Sequence, residues 1–282
     1  MQSLFYQFKR TAIHNILITS SISNPKTDII EGLVLPEKLM KLGDIVPYER
    51  ILVTKHNGDN WINRVYSFAI PGDGETVEAR GSLSHFLKPE ECCCIISETY
   101  FNSNQYKAYC TYNLSIPIID IRFHPENDNQ LNNFSSLKIA LEFPDKILHC
   151  EKIDKEILNQ RQHLPRIMLS NLVFGLKVSE IERQCLEMNA ELPVEIMSKT
   201  GLVKNQTIFV FNASRGGISA ESFVVPNTRN NNITISGALS KVADIDDVIS
   251  EAAFVITNKI LEPTIFNAKN SVTIQHKHEK IF

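Results

Sequence analysis

Four short segments recur in the same order in the two halves of the chain, and this repeat limits the fold more than any other feature of the sequence. Leu35-Pro36-Glu37-Lys38-Leu39-Met40 returns as Leu192-Pro193-Val194-Glu195-Ile196-Met197. Ile51 and Val53, which follow Ile45-Val46, return as Ile208 and Val210, which follow Leu202-Val203. Ser67-Phe68-Ala69-Ile70-Pro71 returns as Ser222-Phe223-Val224-Val225-Pro226, and Gly81-Ser82-Leu83-Ser84 as Gly237-Ala238-Leu239-Ser240. The offsets stay within 155 to 157 residues. A repeat that keeps its order over such a span reads as one structural unit present twice. The 282 residues then divide into two units of ordinary domain size. The expected boundaries are 1–101 for the first unit, 102–165 for a connecting extension with strands and a short helix, and 166–282 for the second unit with a C-terminal tail.

Local signals make the unit β-rich. Thr11 to Thr19 alternates apolar and polar residues as half-buried strands do, and Arg50 to Thr54 and the aromatic-bearing stretch Arg64 to Ile70 also read as strands. His56-Asn57-Gly58-Asp59 is a hairpin signal, because Asn-Gly supplies the positive φ of a tight turn. Pro71-Gly72-Asp73-Gly74 and Lys88-Pro89-Glu90-Glu91 read as turns. Pro36 to Met40 reads as a short helical turn with proline at its first position. Strand-like stretches flank Pro117, Leu137 to Phe143 reads as a strand, and Lys152 to Gln162 as a connecting helix. Short strands punctuated in this way suit small barrels.

Composition narrows the function. With 29 basic and 32 acidic residues there is no surplus of positive charge for a phosphate backbone, so no nucleic-acid partner is expected. The sequence holds no apolar run of membrane-spanning length and no secretory signal pattern at Met1 to Arg10, so no membrane partner and a cytoplasmic location are expected. Neither G-x-G-x-x-G nor G-x-x-x-x-G-K-[ST] occurs, which argues against the common nucleotide-binding loops. The cysteines at 92, 93, 94, 110, 150 and 185 do not form a zinc pattern. The run Cys92-Cys93-Cys94 leads into Ile95-Ile96 and is expected to pack as reduced thiols in a buried strand. His124, Glu126 and Asp128 lie in a polar loop, and His276 and His278 in a polar tail. No metal and no cofactor are expected.

Certain residues of both halves carry a family resemblance. In the first they are Arg10-Thr11-Ala12-Ile13-His14, Asn57-Gly58, Arg64, Ser67-Phe68-Ala69-Ile70, Gly81-Ser82 and Lys88-Pro89-Glu90. In the second they are Met168-Leu169-Ser170-Asn171, Ser222-Phe223, Ser236-Gly237-Ala238 and Glu262-Pro263-Thr264-Ile265-Phe266. With these residues the chain resembles the pyruvoyl-dependent aspartate 1-decarboxylases. The resemblance implies a mostly β chain with short helices, folded as two tandem double-psi β-barrels. It also implies that two chains assemble into a homo-oligomer resembling the family's tetramer.

The family makes its pyruvoyl group from a serine after a Gly-Ser cleavage, and the ketone acts as an electron sink. Here the corresponding step falls at Glu31-Gly32, before Leu33, and near Glu187-Met188 in the second half. Neither has the serine. The family's lysine is replaced by Ala12 and Leu172, and its Thr-Tyr pair by Ser67-Phe68 and Ser222-Phe223. Arg64 matches the arginine that holds the substrate carboxylate, a task suited to a guanidinium fork. The second half has Ser219 there.

The candidate site by resemblance therefore comprises His14, Ser67 and Ser82 as catalytic groups and Arg64, Arg80 and Gly81 as substrate-binding groups. The expected partner is a small-molecule carboxylate. It would be handled by general acid–base chemistry without pyruvoyl, as in a cyclisation, isomerisation or elimination of a specialised biosynthesis. A non-catalytic metabolite-binding or regulatory protein is the alternative. A genuine amino-acid decarboxylase would need processing at the one Gly-Ser dipeptide, Gly81-Ser82.

Overall fold

The computed structural model describes residues 5–23, 29–57, 61–103, 118–120, 164–215 and 219–274. The stretches read as a strand at 137–143 and a helix at 152–162 lie outside these, as do His124, Glu126, Asp128, His276 and His278. The described chain is mostly β, with a few short helices and two eight-stranded sheets. Among the described residues no helix is long and apolar enough to cross a membrane.

The first sheet is built from β1 (Phe5–Leu17), β2 (Ser20–Ile22), β3 (Gly32–Pro36), β4 (Arg50–Asn57), β5 (Trp61–Gly72), β6 (Glu78–Arg80), β7 (Cys92–Asn102) and β8 (Ile118–Asp120). β8 lies within the stretch read as a connection and pairs with β1 as an edge strand. The second sheet holds β9 (Arg166–Glu182), β10 (Asn189–Pro193), β11 (Thr207–Asn212), β12 (Ser219–Asn227), β13 (Ile233–Ser236), β14 (Val248–Thr257), β15 (Thr264–Asn267) and β16 (Val272–Ile274).

Strand order is shared. The run β6-β3-β5-β4-β7-β1-β8 is matched by β13-β10-β12-β11-β14-β9-β15, with parallel and antiparallel pairings in the same places. In the second sheet β13 also pairs with the far end of β9, as β6 pairs with β2 in the first.

The repeated segments take equivalent places in this order. Ile51 faces Ser67 as Ile208 faces Ser222, and Leu35 faces Pro71 as Leu192 faces Pro226. Pro36 and Pro193 each end a strand and open a helix, α1 (Glu37–Leu42) and α2 (Val194–Thr200). A proline fits there because its fixed φ suits the entry and its missing N–H is one a first helical turn leaves unused. Gly81 and Gly237 both hold positive φ, +63° and +58°. Each carbonyl accepts the hydroxyl of the serine three residues on, Ser84 at 2.6 Å and Ser240 at 2.7 Å. A Cβ on Gly237 would lie 2.1 Å from the Glu187 carbonyl oxygen, so glycine alone fits.

Each sheet encloses its own apolar core. Ile13, Leu33, Leu35, Ile51, Val53 and Ile95 lie in the first, and Val173, Leu192, Ile208, Val210, Ile235 and Ile249 in the second. A third cluster joins the sheets, with Val34, Tyr48, Phe68 and Ile70 packed on Leu169, Leu172, Phe209, Phe211 and Ala252. Phe68 meets Phe211 edge-on at 6.5 Å between ring centroids. A buried ionic knot adjoins this seam. Glu49, fully buried, accepts from Arg10 Nη2 at 2.9 Å and Arg166 Nη1 at 2.8 Å, while Arg166 and Arg10 also bind Asp44.

Candidate functional site

The cavity arises from an irregularity in β1. The β1–β7 ladder skips His14 and Asn15, resuming at Ile16 opposite Cys93. Asn15 holds φ 56°, a left-handed conformation that asparagine tolerates better than most residues. β9 has the same break at Phe174 and Gly175, the glycine at φ 73°. Such a bulge bends the strand and redirects a side chain. In the first sheet it leaves a cavity of about 420 Å³ lined by His14, Asn15, Thr54, Lys55, Glu91, Cys92, Cys93 and Cys94.

Opposed charges set the character of this cavity. Lys55 Nζ donates to Glu91 Oε1 at 2.5 Å, and the Lys88 backbone N–H donates to Glu91 Oε2 at 2.8 Å. Partial burial pushes the Glu91 carboxyl up, but the hydrogen bonds from Lys55 and Lys88, with the charges of both lysines, outweigh it and hold the group below the ordinary carboxylate range. Glu91 is therefore ionised at neutral pH and offers its negative charge to Lys55 at the cavity wall. His14, half-buried, adds an imidazole, the side chain type whose ordinary pKa lies nearest neutrality.

The cysteines divide between two environments. Cys93 packs into the first core, as expected of the whole run. Cys92 is exposed and Cys94 half-buried, because alternation along β7 turns them to the opposite face. Burial raises the thiol pKa of both Cys92 and Cys93.

The six residues singled out from the sequence fall into separate places. His14 lines the cavity. Arg64 is exposed on β5, directly opposite Thr54, which itself stands opposite Cys94. Arg64, Thr54 and Cys94 thus form a row over three strands, placing the arginine about 10 Å in backbone spacing from Cys94. Ser67 is buried, with 2% exposure, opposite Ile51. Arg80, Gly81 and Ser82 gather around two carboxylates instead. Arg80 pairs with Glu78, and the Ser82 hydroxyl and N–H both donate to Glu31 Oε1. Glu31 Oε2 is buried without a hydrogen-bond partner among the described residues. Burial pushes the Glu31 carboxyl up to about 7, against the lowering effect of hydrogen bonds from Ser82 and from Ser250 of the second sheet.

Lys55, Glu91 and Glu31 escaped sequence reasoning. Lys55 and Glu91 are far apart in the chain and belong to no motif, so only the fold brings them together. Of the cavity wall, the resemblance reaches His14, and the cysteine run reads only as a strand.

A pyruvoyl group does not fit these residues. The corresponding step, Glu31-Gly32, carries no serine, and a Cβ on Gly32 would lie 2.9 Å from the Ile70 side chain and 3.0 Å from the Phe68 carbonyl oxygen. Phe68 is fully buried in the seam, and Ala12 is buried as well. Among the described residues no group of three or more histidines, cysteines or carboxylates is placed to hold a metal ion. Comparison of the chain with models of protein families and with curated proteins gives no match in either case.

Proposed function

We propose that the chain is a fused pair of double-psi β-barrels of the aspartate decarboxylase type that no longer forms pyruvoyl and binds a small carboxylate-bearing metabolite in the His14 cavity. The shared strand order and the equivalent bulges at Asn15 and Gly175 support the tandem barrel. The observation that carries the function is the cavity itself, lined by the charged Lys55–Glu91 pair and by His14, and flanked by Arg64 in the row beyond Thr54. Arg64 takes the carboxylate through a two-pronged hydrogen bond. Glu91 and Lys55 orient a polar substituent, and His14 moves a proton in an acid–base step such as an elimination or isomerisation. Two chains assembling through their barrels belong to the same proposal.

Titration calorimetry with a panel of small mono- and dicarboxylates tests it. At least one should bind, and Arg64→Ala should weaken that ligand about tenfold or more, since charge-assisted hydrogen bonds of this kind contribute about 1.5–3 kcal/mol. Unchanged affinity in the variant, or no binding by any member, overturns the assignment.

A second reading, a binding protein without catalysis, is favoured by Gly32, Phe68 and Ala12, which are all buried where the family carries its reacting groups. Ligand that binds but undergoes no proton exchange with deuterated solvent would select it. Both readings expect a single species near 32.0 kDa by intact-mass measurement. Two fragments summing to that mass would restore the decarboxylase.

A further inference from the structure

We propose that two copies of this chain pair so that a free face of one copy's second sheet closes over the His14 cavity of the other copy's first sheet. The seam within the chain joins unlike faces. The first sheet gives it Phe68 and Ile70 of β5 together with Tyr48, and the second gives it Leu169 of β9 and Phe211 of β11. The Leu169 N–H donates to the Tyr48 carbonyl at 2.9 Å. A twofold seam would repeat each contact with the roles of the two halves exchanged. By strand register Phe68 corresponds to Phe223, and Phe211 to Thr54. Phe223 is 46% exposed, so the exchanged contact is not made within the chain. The seam is therefore head-to-tail, and each half keeps one face that its sister uses and it does not.

Exposure follows this rule residue by residue. Phe68, Ile70 and Tyr48 are buried in the seam, while their counterparts Phe223 and Asn205 are exposed and Val225 is half-buried. Leu169, Phe211 and Ser250 are buried on the other side of the seam, while their counterpart Lys9 is exposed and Thr54 and Cys94 are half-buried. The two free faces also carry opposite charges, Glu221 beside Phe223 on one and Lys9 on the other, both exposed. Two chains related by a twofold axis satisfy both faces at once, since the same contact is then made twice and neither face is left over.

The free face of the first sheet is also the cavity wall, because Thr54 and Cys94 line the His14 cavity. Within the seam Phe68 meets Phe211, and Glu31 takes a hydrogen bond from Ser250. Val34 pairs with Ile70 as Glu191 pairs with Val225, so Glu31 corresponds to Met188. The same docking between chains brings Phe223 of the partner subunit onto Thr54, and Met188 of the partner subunit onto Cys94. Each cavity is then walled on one side by the partner, and the pair holds two equivalent sites. The use of this wall in ligand binding rests on the function proposed above, whereas the docking rests on the repeat and its seam alone.

Sedimentation equilibrium of the full chain should give twice 32.0 kDa. Phe223→Glu should weaken the pair on the order of a thousandfold, since losing an aromatic anchor costs at least about thirtyfold and the pair carries the change twice. Its circular dichroism should stay that of the wild type, because the replaced side chain is exposed. Thr54→Arg, on the opposite face, should break the pair as well. A wild-type monomer, a polymer that grows with concentration, or a Thr54→Arg variant that remains paired overturns the docking. Native alkylation with N-ethylmaleimide reads the cavity wall. Phe223 and Cys94 lie in different sheets, so Phe223→Glu reaches Cys94 through the partner. Cys94 should react several-fold faster in that variant than in the wild type, and equal rates overturn the partner's place in the wall. A pair with these properties that binds no carboxylate removes the binding proposal alone. Carboxylate bound by a monomeric wild type removes the pairing alone.

Discussion

Replacing Glu49 by alanine is expected to cost the fold about 3–5 kcal/mol, the usual penalty for removing one partner of a buried ion pair. Glu49 is fully buried and receives guanidinium hydrogen bonds from both sheets, Arg10 of β1 and Arg166 of β9. Its second oxygen also accepts the Val46 N–H at 3.0 Å. Asp44 then shares both arginines. The four groups balance in charge, two cations against two carboxylates. Without Glu49 two guanidiniums, each under a tenth exposed, face a single carboxylate. The same stretch also joins the sheets through its backbone, since Glu49 bridges Met168 and the Leu169 N–H donates to Tyr48 at 2.9 Å. Thermal denaturation should show a midpoint lower on the order of 10 °C, and urea denaturation should return the free-energy loss directly. The double variant Arg10→Met with Glu49→Leu should cost less than the two single changes added together, because it removes the stranded charge along with its partner. Strict additivity, or a loss under about 0.5 kcal/mol for Glu49→Ala, would show that the knot contributes nothing.

The repeat was legible because it is written in local chemistry. A proline at a strand-to-helix step, a glycine with positive φ and alternating apolar residues each act within a few residues, so Pro36, Gly81, Ile51 and Val53 announce themselves and recur at Pro193, Gly237, Ile208 and Val210. The site was less legible. His14-Asn15 reads as ordinary strand, and only the ladder reveals a bulge there. The Lys55–Glu91 and Ser82–Glu31 contacts span 36 and 51 residues, and the Arg166–Glu49 contact spans 117. No spacing rule reaches that far. The cysteine run failed as a guide for a different reason: a strand buries every second residue, so a run of three identical side chains must divide between two faces. Arg64 and His14 came from resemblance, and their relation through Thr54 came from strand register.

Replacing Glu251 by leucine should stabilise the protein, and more so as pH rises. Glu251 is fully buried on β14, opposite Val210 and Val173, and neither of its oxygens has a hydrogen-bond partner among the described residues. Strand alternation puts it on the face of Ile249 and Ala253, which belong to the second core. At the matching position the first sheet has Ile95, opposite Val53 in the same register. An aliphatic side chain is thus what this site accommodates in the other half. Burial alone pushes the Glu251 carboxyl up from 4.5 to about 8. The folded state therefore keeps a proton that the unfolded chain has released. Stability from this group is full below about 4.5 and is lost as pH rises through about 8, because folding takes up a proton throughout that window. At about 1.4 kcal/mol per pKa unit the loss is on the order of 4–5 kcal/mol. Glu31, pushed up to about 7, drains stability in the same direction, so the wild-type profile alone does not isolate either group. The difference between Glu251→Leu and wild type does. Unfolding free energies measured from about pH 5 to pH 9 should give a gain for the variant that grows with pH and levels off above about 8. A difference that stays flat across this range would mean that the carboxyl ionises as freely in the fold as in the open chain. It would then have found a partner, and the second core would not be the dry enclosure that its neighbours Val173, Val210 and Ile249 make it.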